Sequence, residues 1–270
     1  MKEQVQGNAG YLGHFPIANR IRRRIDYDVG EIGFQQTVDK IANLVGENKL
    51  VIKGKDEETK DVLRRKPAIV IANHPSFAEI IAVIASLEPR DDIHLVGISN
   101  FLGIGANFSE RVIPIYMTKQ MAAKKHKFPV RLGNALHFGP RMPYDKAHKK
   151  NIGSIESAIE KVNNEGLVVI FPEGVQSGKD KKWLDGVGHL IAGVESRSSV
   201  HLIFVYSKGT SNWDYMRVVP GVKKLLPKIE VTFSKPRTIA DFLGGITDPK
   251  LITKKMEHEY NNYVDSIIGH

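Results

Sequence analysis

Hydrophobic residues along the chain alternate between short β-branched runs and stretches of helical spacing. Ala68-Ile69-Val70-Ile71-Ala72 and Leu167-Val168-Val169-Ile170-Phe171 are unbroken apolar runs. That is the pattern of strands covered on both faces. Leu50-Val51-Ile52, Ile93-His94-Leu95-Val96 and His201-Leu202-Ile203-Phe204-Val205 read as further strands. Val112-Ile113-Pro114-Ile115-Tyr116 is strand-like, with Pro114 marking a sheet edge or a bulge. Ile229-Glu230-Val231-Thr232-Phe233 alternates apolar and polar positions, which predicts a strand with one wet face. Helical spacing runs over Glu31–Val45, Phe77–Leu87, Ile152–Val162 and Leu251–Ile268. Buried strands alternating with helices predict an α/β fold, a mostly parallel central sheet flanked by helices, with an N-terminal helical segment. Residues 1–30 are Gly-rich and basic, with weak periodicity, and no internal repeat is visible.

The last helix has Leu251, Ile252, Met256, Tyr260, Val264, Ile267 and Ile268 near one face. Its polar face mixes Glu257, Glu259 and Asp265 with Lys254 and Lys255, so it is not strongly cationic. Packing against the sheet is the expectation, and lying along a membrane is the alternative.

Composition narrows the class. The 270 residues are 41% hydrophobic and 26% charged, which excludes a disordered chain and suits one large domain, alone or with a small helical addition. The chain has no Cys, so disulfides, thiolate nucleophiles and Cys-ligated metals are excluded, and cytoplasm is the expected compartment. Met1-Lys2-Glu3-Gln4 opens no apolar run, so no secretory signal is expected. The most apolar stretch, Ile80 to Leu87, has eight residues, against about 20 for a membrane span. The protein is expected to lie on a membrane rather than cross it.

The formal charge is +9, from 39 Lys and Arg against 30 Asp and Glu. The surplus is localised. Residues 117–150 hold Lys119, Lys124, Lys125, Lys127, Arg131, Arg141, Lys146, Lys149 and Lys150 against the single acid Asp145. A smaller cluster is Arg20, Arg22, Arg23 and Arg24. Residues 117–150 have three readings: an anionic membrane site, with Phe128, Leu132, Leu136 and Phe138 dipping into the interface; a site for an acidic carrier protein or for CoA phosphates; or a solvated loop. Nucleic acid is not expected, because no recognition motif accompanies the charge.

Several motifs fail. Gly174-Val175-Gln176-Ser177-Gly178-Lys179-Asp180 is one residue short of a P-loop and ends in Asp180 where Ser or Thr should hold magnesium. Gly103-Ile104-Gly105-Ala106-Asn107-Phe108 ends in a bulky residue where a dinucleotide fingerprint needs a small one. There is no nucleophile elbow and no His-Glu-x-x-His zinc helix.

Two motifs hold. Asn73-His74-Pro75-Ser76-Phe77-Ala78-Glu79 follows the first buried strand, so His74 stands at a strand's carboxyl end, where α/β folds place ligands. Glu79, five residues on, is within reach of the imidazole, where a carboxylate would fix the tautomer and leave the second nitrogen as a base. Phe171-Pro172-Glu173-Gly174-Val175-Gln176-Ser177 ends a second buried strand and puts an acid beside a flexible backbone.

In order and on strand ends, these blocks resemble those of the glycerolphosphate and lysophospholipid acyltransferase superfamily, Asn-His-x4-Asp and Phe-Pro-Glu-Gly-Thr-Arg-Ser. The resemblance covers roughly residues 48–243, with the Lys-Pro of Lys235-Pro236 closing the last strand. Around that domain lie residues 1–47, a basic helical segment, and 244–270, a C-terminal helix. Residues 117–150 look like a basic insertion. Three departures stand out: Glu79 replaces the usual Asp, Gln176 the usual Arg, and the strand His201 to Tyr206 lacks the usual Pro.

The resemblance implies an O-acyltransferase that moves a fatty acyl group from acyl-CoA or acyl carrier protein to a hydroxyl of a glycerolphosphate or lysophospholipid-type acceptor. It implies no metal and no cofactor beyond that co-substrate. His74 would be the general base and Glu79 its orienting acid. Asn73, Ser76, Phe171, Pro172, Glu173, Gly174 and Ser177 would line the substrate site. Arg111 and Lys119, which flank the strand Val112–Tyr116, are the candidates for an acceptor phosphate. The partners implied are the acyl donor and, through residues 117–150, an anionic membrane surface, which places the protein on the inner face of a membrane. With Glu79 and Gln176 in place, a catalytically weakened lipid- or carrier-binding protein on the same fold is the alternative.

Overall fold

The computed structural model describes residues 16–46, 50–74, 78–117, 142–174, 182–210 and 227–269. Helices α1 (Pro16–Ile32) and α2 (Phe34–Gly46) lead into β1 (Leu50–Lys53) and α3 (Glu57–Arg65). Then come β2 (Ala68–Ala72), α4 (Ala78–Ala85), β3 (Ile93–Ile98), a 3₁₀ turn at Ser99–Gly103, α5 (Ala106–Ser109) and β4 (Val112–Ile115). The chain continues through α6 (Tyr144–Asn163), β5 (Leu167–Ile170), α7 (Gly186–Ala192), β6 (His201–Lys208) and β7 (Ile229–Phe233). It closes with β8 (Arg237–Thr238), α8 (Ile239–Leu243) and α9 (Pro249–Ile268).

One sheet runs through the molecule in the order β1-β7-β6-β2-β5-β3-β4, with β8 also paired to β6. The five strands β6, β2, β5, β3 and β4 are parallel neighbours, while β7 and β8 run antiparallel to β6. The fold is thus the α/β class that the hydrophobic pattern predicts. Pro114 sits on β4, the outermost strand, where a missing N–H is tolerated.

The sheet separates two cores. Ala68, Val70 and Ala72 of β2 face one side, with α1 to α5 supplying Val29, Phe34, Leu63, Val83 and Phe108. Ile69 and Ile71 face the other side, with α6 to α9 supplying Val162, Leu190, Phe242, Ile252 and Met256. Every residue of β2 and β5 is buried, which is why both read as unbroken apolar runs. The C-terminal helix α9 packs on the second core through Ile252, Met256 and Tyr260, as expected of an ordinary covering helix. At Gly188 in α7 a Cβ would overlap the Pro249 carbonyl oxygen and Thr253 Oγ1, so only Gly allows α9 to approach this closely.

Five helices, α1, α3, α5, α7 and α8, are absent from the hydrophobic pattern, and the two longest show why. In α1, Ile25 and Val29 join the first core, but four arginines sit among the apolar positions and weaken the period. In α3 the signal lies in the ends instead. Asp56 caps the helix by accepting from the Thr59 N–H at 2.9 Å, Glu57 and Glu58 occupy the first turn, and Arg64 and Arg65 the last. Each placement favours the helix dipole.

His94 on β3 is 7% exposed, and its Nδ1 has no hydrogen-bond partner among the described residues. Burial, with Lys161 and Arg111 nearby, pushes its pKa from an ordinary 6.5 down to about 4. The folded protein therefore holds His94 neutral while the unfolded chain protonates it. Stability from this group is complete above about pH 6.5 and is lost as pH falls toward about 4, by up to roughly 1.4 kcal/mol per pH unit. Burial of His201 acts in the same direction. Chemical denaturation across that range is expected to show the decline, and His94→Leu to flatten it. An unchanged slope in the variant would remove His94 as the cause.

Candidate active site

β2 ends at Ala72, and Asn73 begins the turn. Its side-chain amide is engaged at both ends with β6: Nδ2 donates to the Ser207 carbonyl and Oδ1 accepts from the Ser207 N–H, each at 2.8 Å. Asn73 is thus fixed to the neighbouring strand and directs the next residue, His74, out over the sheet's carboxyl edge.

His74 Nδ1 is hydrogen-bonded to Glu79 Oε1. The imidazole is 17% exposed, whereas the Glu79 side chain is completely buried. Glu79 lies in the first turn of α4, where the helix dipole favours a carboxylate. The far end of α4 is anchored too. Gln35 Nε2 donates to the carbonyls of Ala85 at 3.1 Å and Leu87 at 3.3 Å, and Lys55 Nζ to that of Ser86 at 2.8 Å. With Nδ1–H donating to Glu79, Nε2 is the basic nitrogen and the one turned away from the carboxylate.

The second motif arrives on the adjacent strand, since β2 and β5 pair in parallel from Ala68 with Leu167 to Ile71 with Ile170. The Phe171 ring packs against the His74 imidazole at 5.4 Å. Phe171 and Pro172 are both buried, so they shape the floor rather than face a ligand. Glu173 and Gly174 are partly exposed at the rim. Gly174 closes the turn with a φ of +57°, its N–H reaching the Phe171 carbonyl at 3.1 Å. The left-handed conformation suits Gly.

Arg111 does not join this site. It precedes β4, and β4 runs parallel to β3 and β5, so Arg111 lies at the amino edge of the sheet, opposite His74. There its Nη1 donates to the Asp91 carbonyl. The strand's polarity decides the matter: the residues after β4, Tyr116 and Met117, are the ones on the carboxyl edge. Ser76, Lys119, Gln176 and Ser177 lie outside the described residues.

Sequence reasoning missed two contributors. Tyr260 of α9, 3% exposed, places its hydroxyl 2.9 Å from the Val205 carbonyl beneath the site. Trp183 follows the second motif and packs on the Tyr260 ring at 5.4 Å. Only the helical spacing of Tyr260 within the last helix marks it in the sequence. Among the described residues no three His, Asp or Glu side chains converge to hold a metal ion. No helix is long and apolar enough to cross a membrane, again among the described residues.

A fully buried acid bonded to a partly exposed imidazole fixes the ring's orientation at the sheet's carboxyl edge. A protein-family model described as Acyltransferase matches residues 54–192, half of the chain, and spans both motifs. The chain belongs to the acyltransferase family. No curated protein matches it. Among solved structures it is similar to the 1-acyl-sn-glycerophosphate (LPA) acyltransferase PlsC from Thermotoga maritima, at 14% identity and a TM-score of 0.45, covering 94% of this chain and 98% of that one.

Proposed function

We propose that this acyltransferase moves a fatty acyl group from an acyl thioester, acyl-CoA or acyl carrier protein, to a hydroxyl of a glycerolphosphate or lysophospholipid-type acceptor. The observation that carries the reading is the hydrogen bond between His74 and the fully buried Glu79 at the carboxyl edge of the sheet. His74 Nε2 takes the acceptor's hydroxyl proton as the oxygen attacks the thioester carbonyl. The tetrahedral intermediate collapses, the C–S bond breaks, and the departing thiolate takes the proton from the imidazolium. Glu79 orients the ring and stabilises its charged form. Base catalysis of this kind contributes roughly 10²–10⁴-fold, and holding the two substrates together supplies more. Transfer is direct, since the chain has no Cys and no nucleophile elbow to carry the acyl group.

Glu173, at the rim beside His74, is assigned to the acceptor's hydroxyls. Ser76 and Ser177 keep their place as substrate contacts and Lys119 as a phosphate contact, while Arg111 drops out of the site. The hydrogen bond that Glu79 makes supports an active enzyme over a catalytically weakened binding protein, because the longer acid still reaches the imidazole.

Residues 117–150 are assigned to an anionic membrane surface, which would bring the site to its lipid from the inner face. Thioester consumption with glycerol-3-phosphate and lysophospholipid acceptors is expected to show acceptor-dependent turnover. Thioester loss that no acceptor accelerates overturns the assignment. Flotation with anionic liposomes is expected to weaken when the Lys and Arg of 117–150 are neutralised, and unchanged flotation removes that segment from the account.

A further inference from the structure

The carboxyl edge of the sheet continues past the two motifs to β4. β2 pairs with β5 through Ile71 and Ile170, β3 with β5 through Leu95 and Val169, and β3 with β4 through Ile98 and Ile115. Counted on from these pairs, His74, Glu173, Ser99 and Tyr116 stand in one row along that edge. Three strand spacings, about 14 Å, separate the first from the last. Gly174, Ser99 and Asn100, at the ends of the strands in between, are partly exposed.

Tyr116 is where helix α6 meets this edge. Its N–H donates to Asn151 Oδ1 at 2.7 Å, and Asn151 Nδ2 donates back to its carbonyl at 3.1 Å. One turn later Ser154 Oγ donates to the Pro114 carbonyl at 2.6 Å. The helix is therefore clamped to the end of β4. Lys150, the residue before Asn151, sets its ammonium over the Tyr116 ring, 4.5 Å from the centroid. The ring attracts the cation without neutralising it. Lys150 has no acid partner among the described residues. Lys146, one turn earlier on the same face, and Lys149 add positive potential against the single acid Asp145.

An ammonium fixed at the far end of the row suits a donor that carries an anion at one end and a thioester at the other. The phosphopantetheine arm, common to CoA and acyl carrier protein, has that form. From sulfur to phosphate it runs through about thirteen bonds, as many as four to five residues of chain, and extended it spans about 15 Å. We propose that Lys150 binds the phosphate of the acyl donor's phosphopantetheine arm, with the thioester lying at His74. This rests on the function proposed above for the same site. It gives Lys150 a task distinct from the membrane contact assigned to residues 117–150 as a whole.

Lys150→Met removes the charge at an exposed position, so the fold should be kept. In detergent without anionic lipid, KM for the acyl donor is expected to rise about tenfold, the loss of one charge-assisted contact. At saturating donor, kcat and the acceptor KM should stay within about twofold. Lys150→Arg should restore most of the affinity. With acyl-pantetheine, which lacks the phosphate, wild type and Lys150→Met should have the same KM. Acyl-CoA and acyl carrier protein are assayed separately. A rise with either one supports the proposal and names that donor, and a rise with both supports it for the shared arm. An unchanged KM with both overturns it. So does an equal rise with acyl-pantetheine, or a rise that requires anionic vesicles and so belongs to the membrane. If the wild type turns over no acceptor, the proposed function falls, and calorimetry with a long-chain alkyl thioether of phosphopantetheine decides the arm. Binding about tenfold weaker in Lys150→Met supports the proposal, and equal binding or none to the wild type overturns it.

Discussion

His74→Ala is expected to lower acyl transfer by at least 10²-fold, and up to about 10⁴-fold. The imidazole is at the rim, 17% exposed, while the strand that carries it is wholly buried. Truncation therefore leaves the β2 ladder and both cores in place, and Tm measured alongside should show a folded protein. What disappears is the imidazole proposed to take the acceptor's proton at the carboxyl edge. A residual rate from holding the two substrates together should survive, because positioning does not depend on the base. It should rise with pH as the hydroxyl or hydroxide becomes its own base. Turnover of the alanine variant at the wild-type rate would overturn the mechanism.

Glu79→Gln is the second large effect. Glu79 and Gln have nearly the same shape, so packing in the first turn of α4 is kept, but the side chain loses the charge that stabilises the imidazolium. Its amide can also donate to Nδ1 and reverse the tautomer, which would leave Nε2 as a donor instead of a base. A fall of about 10²–10⁴-fold in kcat is expected. Because the two residues act as a unit, the double variant His74→Ala with Glu79→Gln should lose little more than His74→Ala alone. Losses that multiply would mean that Glu79 acts independently of the histidine. Glu79→Asp should fall between these limits: it keeps the charge but withdraws the carboxylate by about 1.5 Å, one carbon–carbon bond.

The parts of this structure that were legible in the sequence are those written in short-range terms. β2 and β5 announce themselves because helices cover both of their faces, and the edge position of β4 follows from Pro114. The pairing of His74 with Glu79 was legible because five residues separate them and a strand-to-helix turn intervenes. The α1 helix was hidden by its arginines, and α3 by having its signal in caps rather than in hydrophobic period. Arg111 was misplaced for a different reason. Nearness to a strand in sequence does not say which end of the sheet a residue occupies, and here the residue before β4 lies on the edge opposite the site. Tyr260 carries no motif. Its hydrogen bond to the Val205 carbonyl joins residues far apart in the chain, and only the folded topology, with α9 crossing behind β6, brings them together.

The Met142 N–H donates to the Met117 carbonyl at 3.3 Å. The chain thus departs from the end of β4 and comes back to the same point before α6 begins, with 24 residues in between. A segment joined at a closed neck imposes almost nothing on the scaffold, because lengthening it costs only about 0.6 kcal/mol per doubling. On the proposed reading, recognition through this segment and catalysis at His74 and Glu79 would be separable, each open to change without the other.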